Sequence, residues 1–148
     1  MIRKRPLLTG ALVFLTSCLA VASLACRGGG ATSTPGSPAT SAGVRLGNDI
    51  QPVFTGNCVV CHQGAGQAGL TLEPGKSYGN LVNIASTESP LKRVAPGAPD
   101  KSYLLNKLQG TQGQIGGSGA QMPYGAAPLP SAQIGLIQQW IQEGALNN

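Results

Sequence analysis

Two cysteines three apart with a histidine directly behind them, Cys58-Val59-Val60-Cys61-His62, are the chemically most specific stretch of this 148-residue chain. C-x-x-C-H is the spacing of covalent c-type haem attachment. Two thiols that far apart share one side of a helical turn. They can add to the two vinyl groups of a porphyrin, and the following imidazole then sits under the iron. Other chemistries use part of this pattern. A bare C-x-x-C serves dithiol exchange in thioredoxin-like proteins, but such a fold alternates strands with helices, and strand-like runs are few here. Zinc takes four ligands, whereas Cys58, Cys61 and His62 supply three and the rest of the domain has no further Cys or His. A chance match is the remaining reading. The haem reading is preferred.

A haem iron has a second face. Between Gly110 and Pro130 runs a long loop with five internal glycines and the only methionine besides the initiator, Met122. A structureless loop of this length is unusual inside a small domain and often functional. The Met122 thioether is a soft ligand suited to haem iron, and Met/His ligation gives a relatively high potential. Pro123 biases Met122 toward extended backbone. The plainer reading of Met122 is an apolar plug. Failing Met122, the iron would be five-coordinate or would take a lysine such as Lys107. His62 is the only histidine, so two histidines from one chain cannot ligate it.

Helices must hold these groups. Leu46–Asn57 reads as a helix with Ile50, Val53 and Phe54 on one face, and Pro52 requires its first turn to lie near Asp49. A short helix is predicted over Ser77–Ile84, with Tyr78, Leu81 and Val82 inward. Asp100 is placed to cap a helix carrying Tyr103, Leu104 and Leu108 and closed by Gly110. The last helix is expected to begin at Ser131, after Pro130, and to stop at Gly144, with Ile134, Ile137, Trp140 and Ile141 as its apolar stripe. The fold class is all-α. Aromatics are few, so a buried porphyrin would supply apolar bulk. Tyr78, Tyr103, Tyr124 and Trp140 either line that group or are ordinary core residues. The His62 ring is expected to donate through Nδ1 to a backbone carbonyl, with Leu72–Pro74 the suggested stretch.

The N-terminus reads as an export signal over residues 1–25. Arg3, Lys4 and Arg5 precede an uncharged run of 19 residues, Leu7–Ala25. Ser23-Leu24-Ala25-Cys26 resembles a lipoprotein box with Cys26 as the lipidated residue. Leu15-Thr16-Ser17-Cys18 matches the same pattern and would place the lipid on Cys18. An uncleaved anchor helix and a plain cleaved signal are the other options. Each puts the remainder outside the cytoplasm, on a membrane or in the periplasm. Residues 26–43 form a tether; its 17 residues after Cys26 lack any side chain larger than threonine beyond Arg27. It would span roughly 20–25 Å as a flexible coil. The folded domain is 44–148.

Three of the ten basic residues fall in the signal, leaving seven against five acidic ones from Cys26 onward, a net of +2. Clustered basic charge for nucleic acid is missing. No Ser-His-Asp set, paired-carboxylate site or phosphate-binding loop is present.

From Asp49 to Ala145 the chain resembles the bacterial class I cytochromes c, in particular the small planctomycete-type cytochrome c domains. The resemblance rests on Ile50-Gln51-Pro52-Val53-Phe54 before the Cys58–His62 motif, then Gly69-Leu70-Thr71-Leu72, then Pro96-Gly97-Ala98-Pro99-Asp100-Lys101-Ser102-Tyr103-Leu104. Met122-Pro123 and Leu129-Pro130-Ser131 through Trp140-Ile141 to Gly144-Ala145 complete the order. It implies one haem c held by Cys58 and Cys61, wrapped by helices, with His62 and Met122 as axial ligands and the first and last helices crossing near the haem edge. It implies a single-haem electron-transfer protein rather than an enzyme. Longer family members carry further modules, so donor and acceptor are expected to be separate redox proteins. The alternatives are a haem enzyme or sensor with an open distal site, peroxidase-like, and a lipoprotein with Cys58 and Cys61 joined in a disulfide.

Overall fold

Proline 52 shapes the first element of the domain. Its nitrogen has no hydrogen to give the carbonyl four residues back, and its ring crowds that carbonyl. In the computed structural model, which describes residues 43–64 and 66–148, the chain answers with a wider turn. Leu46–Ile50 is π-helical, and Ile50 N–H reaches back five residues to the Arg45 carbonyl at 3.3 Å. Helix α1 then spans Gln51–Asn57 with Pro52 in its first turn. The expected single helix from Leu46 is thus two kinds of turn in series. Ile50, Val53 and Phe54 are all buried, as their spacing requires. The signal over 1–25, Cys18, Cys26 and the tether as far as Ala42 lie outside the described residues.

Helix α2 is Ser77–Leu81, shorter than expected. Val82 leaves it for extended backbone and pairs with Val94 in an isolated bridge, and Asn83 turns through a φ of +61°. The two β-branched valines pair better extended than coiled. Leu81 and Val82 are buried, Tyr78 only partly, and the small Ser77 is almost wholly covered.

Helix α3 is Tyr103–Gln109, closed by Gly110 in the left-handed region at φ +73°. Asp100 is not its cap. It sits exposed in a short 3-10 turn, Pro99–Lys101, and Ser102 occupies the capping position. The Ser102 hydroxyl serves the preceding loop, accepting from Ala95 N–H and donating to the Ala98 carbonyl, both at 2.9 Å. Leu105 and Leu108 are buried, whereas Leu104 is half-exposed.

Helix α4 is Ser131–Gln142. Ser131 is its first helical residue, and no side chain caps it; the Pro130 carbonyl accepts from Gln133 and Ile134 instead. Ile137, Trp140 and Ile141 are wholly covered and Ile134 partly so. α4 packs on the Leu46–Ile50 turn and on α3. Glu143 accepts from Val44 N–H at 2.7 Å, and Gly97 N–H donates to the Ile141 carbonyl at 2.8 Å, so both the domain entry and the 95–98 loop are tied to the end of α4. The fold is all-α: among the described residues there are three isolated β-bridges and no strand. Among them also, no helix is long and apolar enough to cross a membrane.

Trp140 is the largest wholly buried side chain, and its indole N–H donates to the Leu146 carbonyl at 2.9 Å. Trp140→Ala should therefore cost about 3–5 kcal/mol, the range for removing a buried aromatic. A urea midpoint close to that of the unaltered protein would contradict this assignment of the core.

Candidate functional site

The end of α1 builds the Cys58–His62 turn. Cys58 departs from helical backbone at φ −126°, although its N–H still bonds the Phe54 carbonyl at 2.8 Å. Its own carbonyl then accepts from both Cys61 N–H and His62 N–H, at 3.1 and 2.9 Å. One carbonyl thus gathers the two thiols and the imidazole onto a single turn. Cys58 is half-buried against the core, Cys61 is exposed, and both thiols are free. Val60 between them is 77% exposed. Burial pushes the Cys58 thiol up to about 11, and the neighbouring Cys61 adds to the effect. Dithiol exchange runs on thiols with lowered pKa, and Cys58 is shifted the other way. Among the described residues no three of His, Cys, Asp and Glu are grouped to hold a metal ion.

His62 is half-buried, and its Nδ1 lies 3.3 Å from the Leu70 carbonyl. This corrects the expectation of Leu72–Pro74. Leu72 serves the same residue differently, through its N–H, which donates to the His62 carbonyl at 2.8 Å. Since a carbonyl only accepts, the ring bond requires the proton on Nδ1. The lone pair is then left on Nε2.

The loop between the turn and Leu70 is held at several points. Thr71 Oγ1 donates to the Gly64 carbonyl, and Gly64 N–H donates to Glu73 at 3.0 Å. That N–H first, and the Lys76 ammonium second, hold the Glu73 carboxyl below the ordinary carboxylate range. Gln51, buried in α1, donates to the Leu72 carbonyl at 2.9 Å and accepts from Ser77 at 2.6 Å. This buried pair joins α1, α2 and the 70–72 segment. Gly66 sits at φ +50° where a Cβ would run into the Leu70 carbonyl.

Met122 lies on the glycine-rich loop, half-buried, and packs on the same hydrophobic core as Cys58. Its N–H donates to the Lys107 carbonyl of α3 at 2.9 Å. The loop has anchors of its own before Met122. The ammonium of the buried Lys107 bonds the Ser118 carbonyl at 3.2 Å, pairs with Glu88 at 3.3 Å and stands 5.8 Å from the centre of the Tyr103 ring. Tyr103 donates to the same Ser118 carbonyl at 2.7 Å, and Ser118 N–H bonds the Glu88 carbonyl at 3.0 Å. Gly119, at φ +75°, has no room for a Cβ beside the Lys107 ammonium. Lys107, considered above as a substitute ligand, is thus engaged elsewhere.

The four candidate pocket aromatics divide. Trp140 is a core residue and Tyr103 a loop anchor, whereas Tyr124 is 77% exposed and Tyr78 half-buried. Two surface concavities, one beside Gln51 and Tyr78 and one between Leu105 and Gln138, include none of Cys58, Cys61, His62 and Met122. The polar groups of Gln51 are already bonded within the protein, so the reactive side chains remain those of the 58–62 turn. Sequence reasoning passed over Gln51, Ser77 and Glu88 in this setting. Only the unbroken apolar company of Gln51 hinted at its burial.

No family model matches the chain, and no curated protein matches it. Among solved structures it is similar to hydrazine synthase of Kuenenia stuttgartiensis, at 20% identity and a TM-score of 0.46. That match covers 69% of this chain and 16% of the other, so the chain spans about a sixth of the protein it resembles.

Gly66→Ala should push the Leu70 carbonyl away from His62 and force a non-glycine residue to positive φ, at a cost of about 1–3 kcal/mol. Chemical denaturation measures it; equal stability would mean that the loop does not approach Leu70 so closely.

Proposed function

We propose that this chain is a single-haem c-type cytochrome that passes electrons between separate redox proteins. The observation that carries the reading is the His62 ring. Its Nδ1 is tied to Leu70, which leaves Nε2 as an iron donor, within the same turn as two free thiols. Cys58 and Cys61 would hold the porphyrin through thioethers, and His62 and Met122 would be the axial ligands. The donor chemistry fits that group: imidazole and thioether are a known axial pair, and Met is the one that raises the potential. Leu70, Leu104 and Met122 remain partly exposed while packed on the core, which leaves apolar surface for a flat apolar ring to cover. A wrapped class I cytochrome c fold is part of the same proposal. So bound, the haem supplies a one-electron iron couple.

The residues of the chain do the rest. The Leu70 carbonyl draws on the Nδ1 proton and so increases electron donation from Nε2, as such outer partners do for metal-bound histidines. It also fixes the plane of the ring. The Lys107, Glu88 and Tyr103 anchors order the loop without the thioether's help, so Met122 is presented at a smaller entropic cost. A site filled on both sides changes little between oxidation states, and that suits electron transfer. Export, tethering through a lipid on Cys26 and a place on the outer side of a membrane belong to this proposal on the strength of the sequence.

The decisive measurement is a pyridine haemochrome spectrum of the exported protein made with a c-type maturation system. A thioether-type spectrum is expected, and a colourless product would refute the reading. Cys61→Ser should impair covalent retention of haem under denaturing conditions; full retention would contradict the role of Cys61. Met122→Ala should lower the midpoint potential and admit carbon monoxide to the ferrous form. Ready carbon monoxide uptake by the unaltered protein would instead favour an open distal site, and an unchanged ferric Met–iron charge-transfer band in the variant would reject Met122 as ligand.

A further inference from the structure

Arg93 lies far from the Cys58–His62 turn in sequence, yet its guanidinium is bonded to the loop that follows that turn. One terminal nitrogen donates to the Ala68 carbonyl at 2.8 Å and reaches the Gly69 carbonyl at 3.3 Å. The other donates to the Asn80 carbonyl of α2 at 3.0 Å and to Gly69 at 3.3 Å. Among the described residues no carboxylate pairs with it; the ion pairs among them are Lys76 with Glu73 and Lys107 with Glu88. The cation is thus committed wholly to main-chain oxygens. An ammonium could not do the same, because only the planar fork presents several donors at fixed angles.

A second observation bears on the same place. Ala68 holds φ +54° and ψ +27°, left-handed backbone that a residue with a Cβ rarely adopts. Such a conformation persists when its surroundings impose it, and the shortest Arg93 bond is to the Ala68 carbonyl. Gly69 follows at φ +62°. The chain then straightens at Leu70, φ −109° and ψ 122°, and delivers its carbonyl to His62 Nδ1. The direction of the Leu70 carbonyl is therefore set by the two residues that Arg93 grips. The Arg93 backbone is itself fixed between two elements, donating to the Ile84 carbonyl at 2.7 Å and accepting from Leu104 N–H at the start of α3 at 3.0 Å.

We propose that Arg93 is a positioning residue for His62: its guanidinium clamps Ala68 and Gly69 so that the Leu70 carbonyl meets Nδ1 and sets the orientation and donor strength of the imidazole. This inference rests on the reading of His62 as an iron ligand. It does not make Arg93 a ligand, and its side chain need not touch the haem.

Arg93→Lys separates geometry from charge, since it keeps the cation and loses the fork. Arg93→Gln removes both and serves as the second variant. His62 is the only histidine in the chain, so ¹⁵N-histidine labelling of the full, matured protein gives the signals of a single imidazole, with one N–H, that of Nδ1. In the unaltered protein the Nδ1 proton should exchange slowly with solvent. In Arg93→Lys it should exchange about tenfold faster, as for one weakened hydrogen bond, and the midpoint potential should rise because the ferric state loses donation from His62. A clamp that merely stabilised the loop would lower the melting temperature and leave both readouts in place. Unchanged exchange and potential in both variants would overturn the inference while the cytochrome reading stood. An unaltered protein without thioether-bound haem would overturn both.

Discussion

An imidazole that binds iron through one nitrogen must be held by the other. For His62, the ligand we propose, that hold would come from residues 70–72, which exchange two hydrogen bonds with it, ring to Leu70 carbonyl and Leu72 N–H to His62 carbonyl. Backbone and side chain of the one histidine are fixed by the same short segment. Much of the surrounding architecture secures that segment. Gln51 holds Leu72 from α1, Ser77 holds Gln51 from α2, and Gly66 leaves space for the Leu70 carbonyl. A buried polar network of this kind helps only when its members are satisfied, and each of these contacts has its partner.

The other candidate ligand is presented on different terms. Glycine-rich chain is expensive to order, and a thioether–iron bond alone is a weak means of ordering nineteen residues between Gly110 and Pro130. Lys107 removes that difficulty. Its stem is buried in α3, its carbonyl receives Met122 N–H, and its ammonium bonds the Ser118 carbonyl. One residue, through its main chain and its side chain, thereby links a core helix to the loop at two places. Tyr103 and Glu88 complete the hold, and the absence of a Cβ at Gly119 lets the ammonium approach.

The core that supports both sides is modest. Trp140, Phe54, Ile50, Ile137 and Ile141, from the two ends of the domain, are wholly covered, and Leu81 and Val94 join them from its middle. α4 lies on the Leu46–Ile50 turn, and Val44 and Leu46 bond side chains of Glu143 and Asn148. Closing the chain on itself in this way lets a short sequence with few aromatics bury an apolar centre, and the 58–62 turn grows directly from α1, whose buried face belongs to it.

How much of this was legible beforehand depended on the range of the interaction. The Cys58–His62 spacing, the apolar stripes of α1 and α4, the left-handed stop at Gly110 and the all-α class all follow from neighbours within a turn or two, so the sequence by itself determined them. Local signals also misled where a distant group competed: Ser102 gave its hydroxyl to the 95–98 loop, Asp100 stayed in solvent, and Val82 left its helix to meet Val94. Which carbonyl faces His62, which arginine steadies it and which lysine holds the methionine loop were decided by tertiary structure alone. These bonds join residues brought close only when the helices pack, and neither charge, periodicity nor motif marks their partners along the chain.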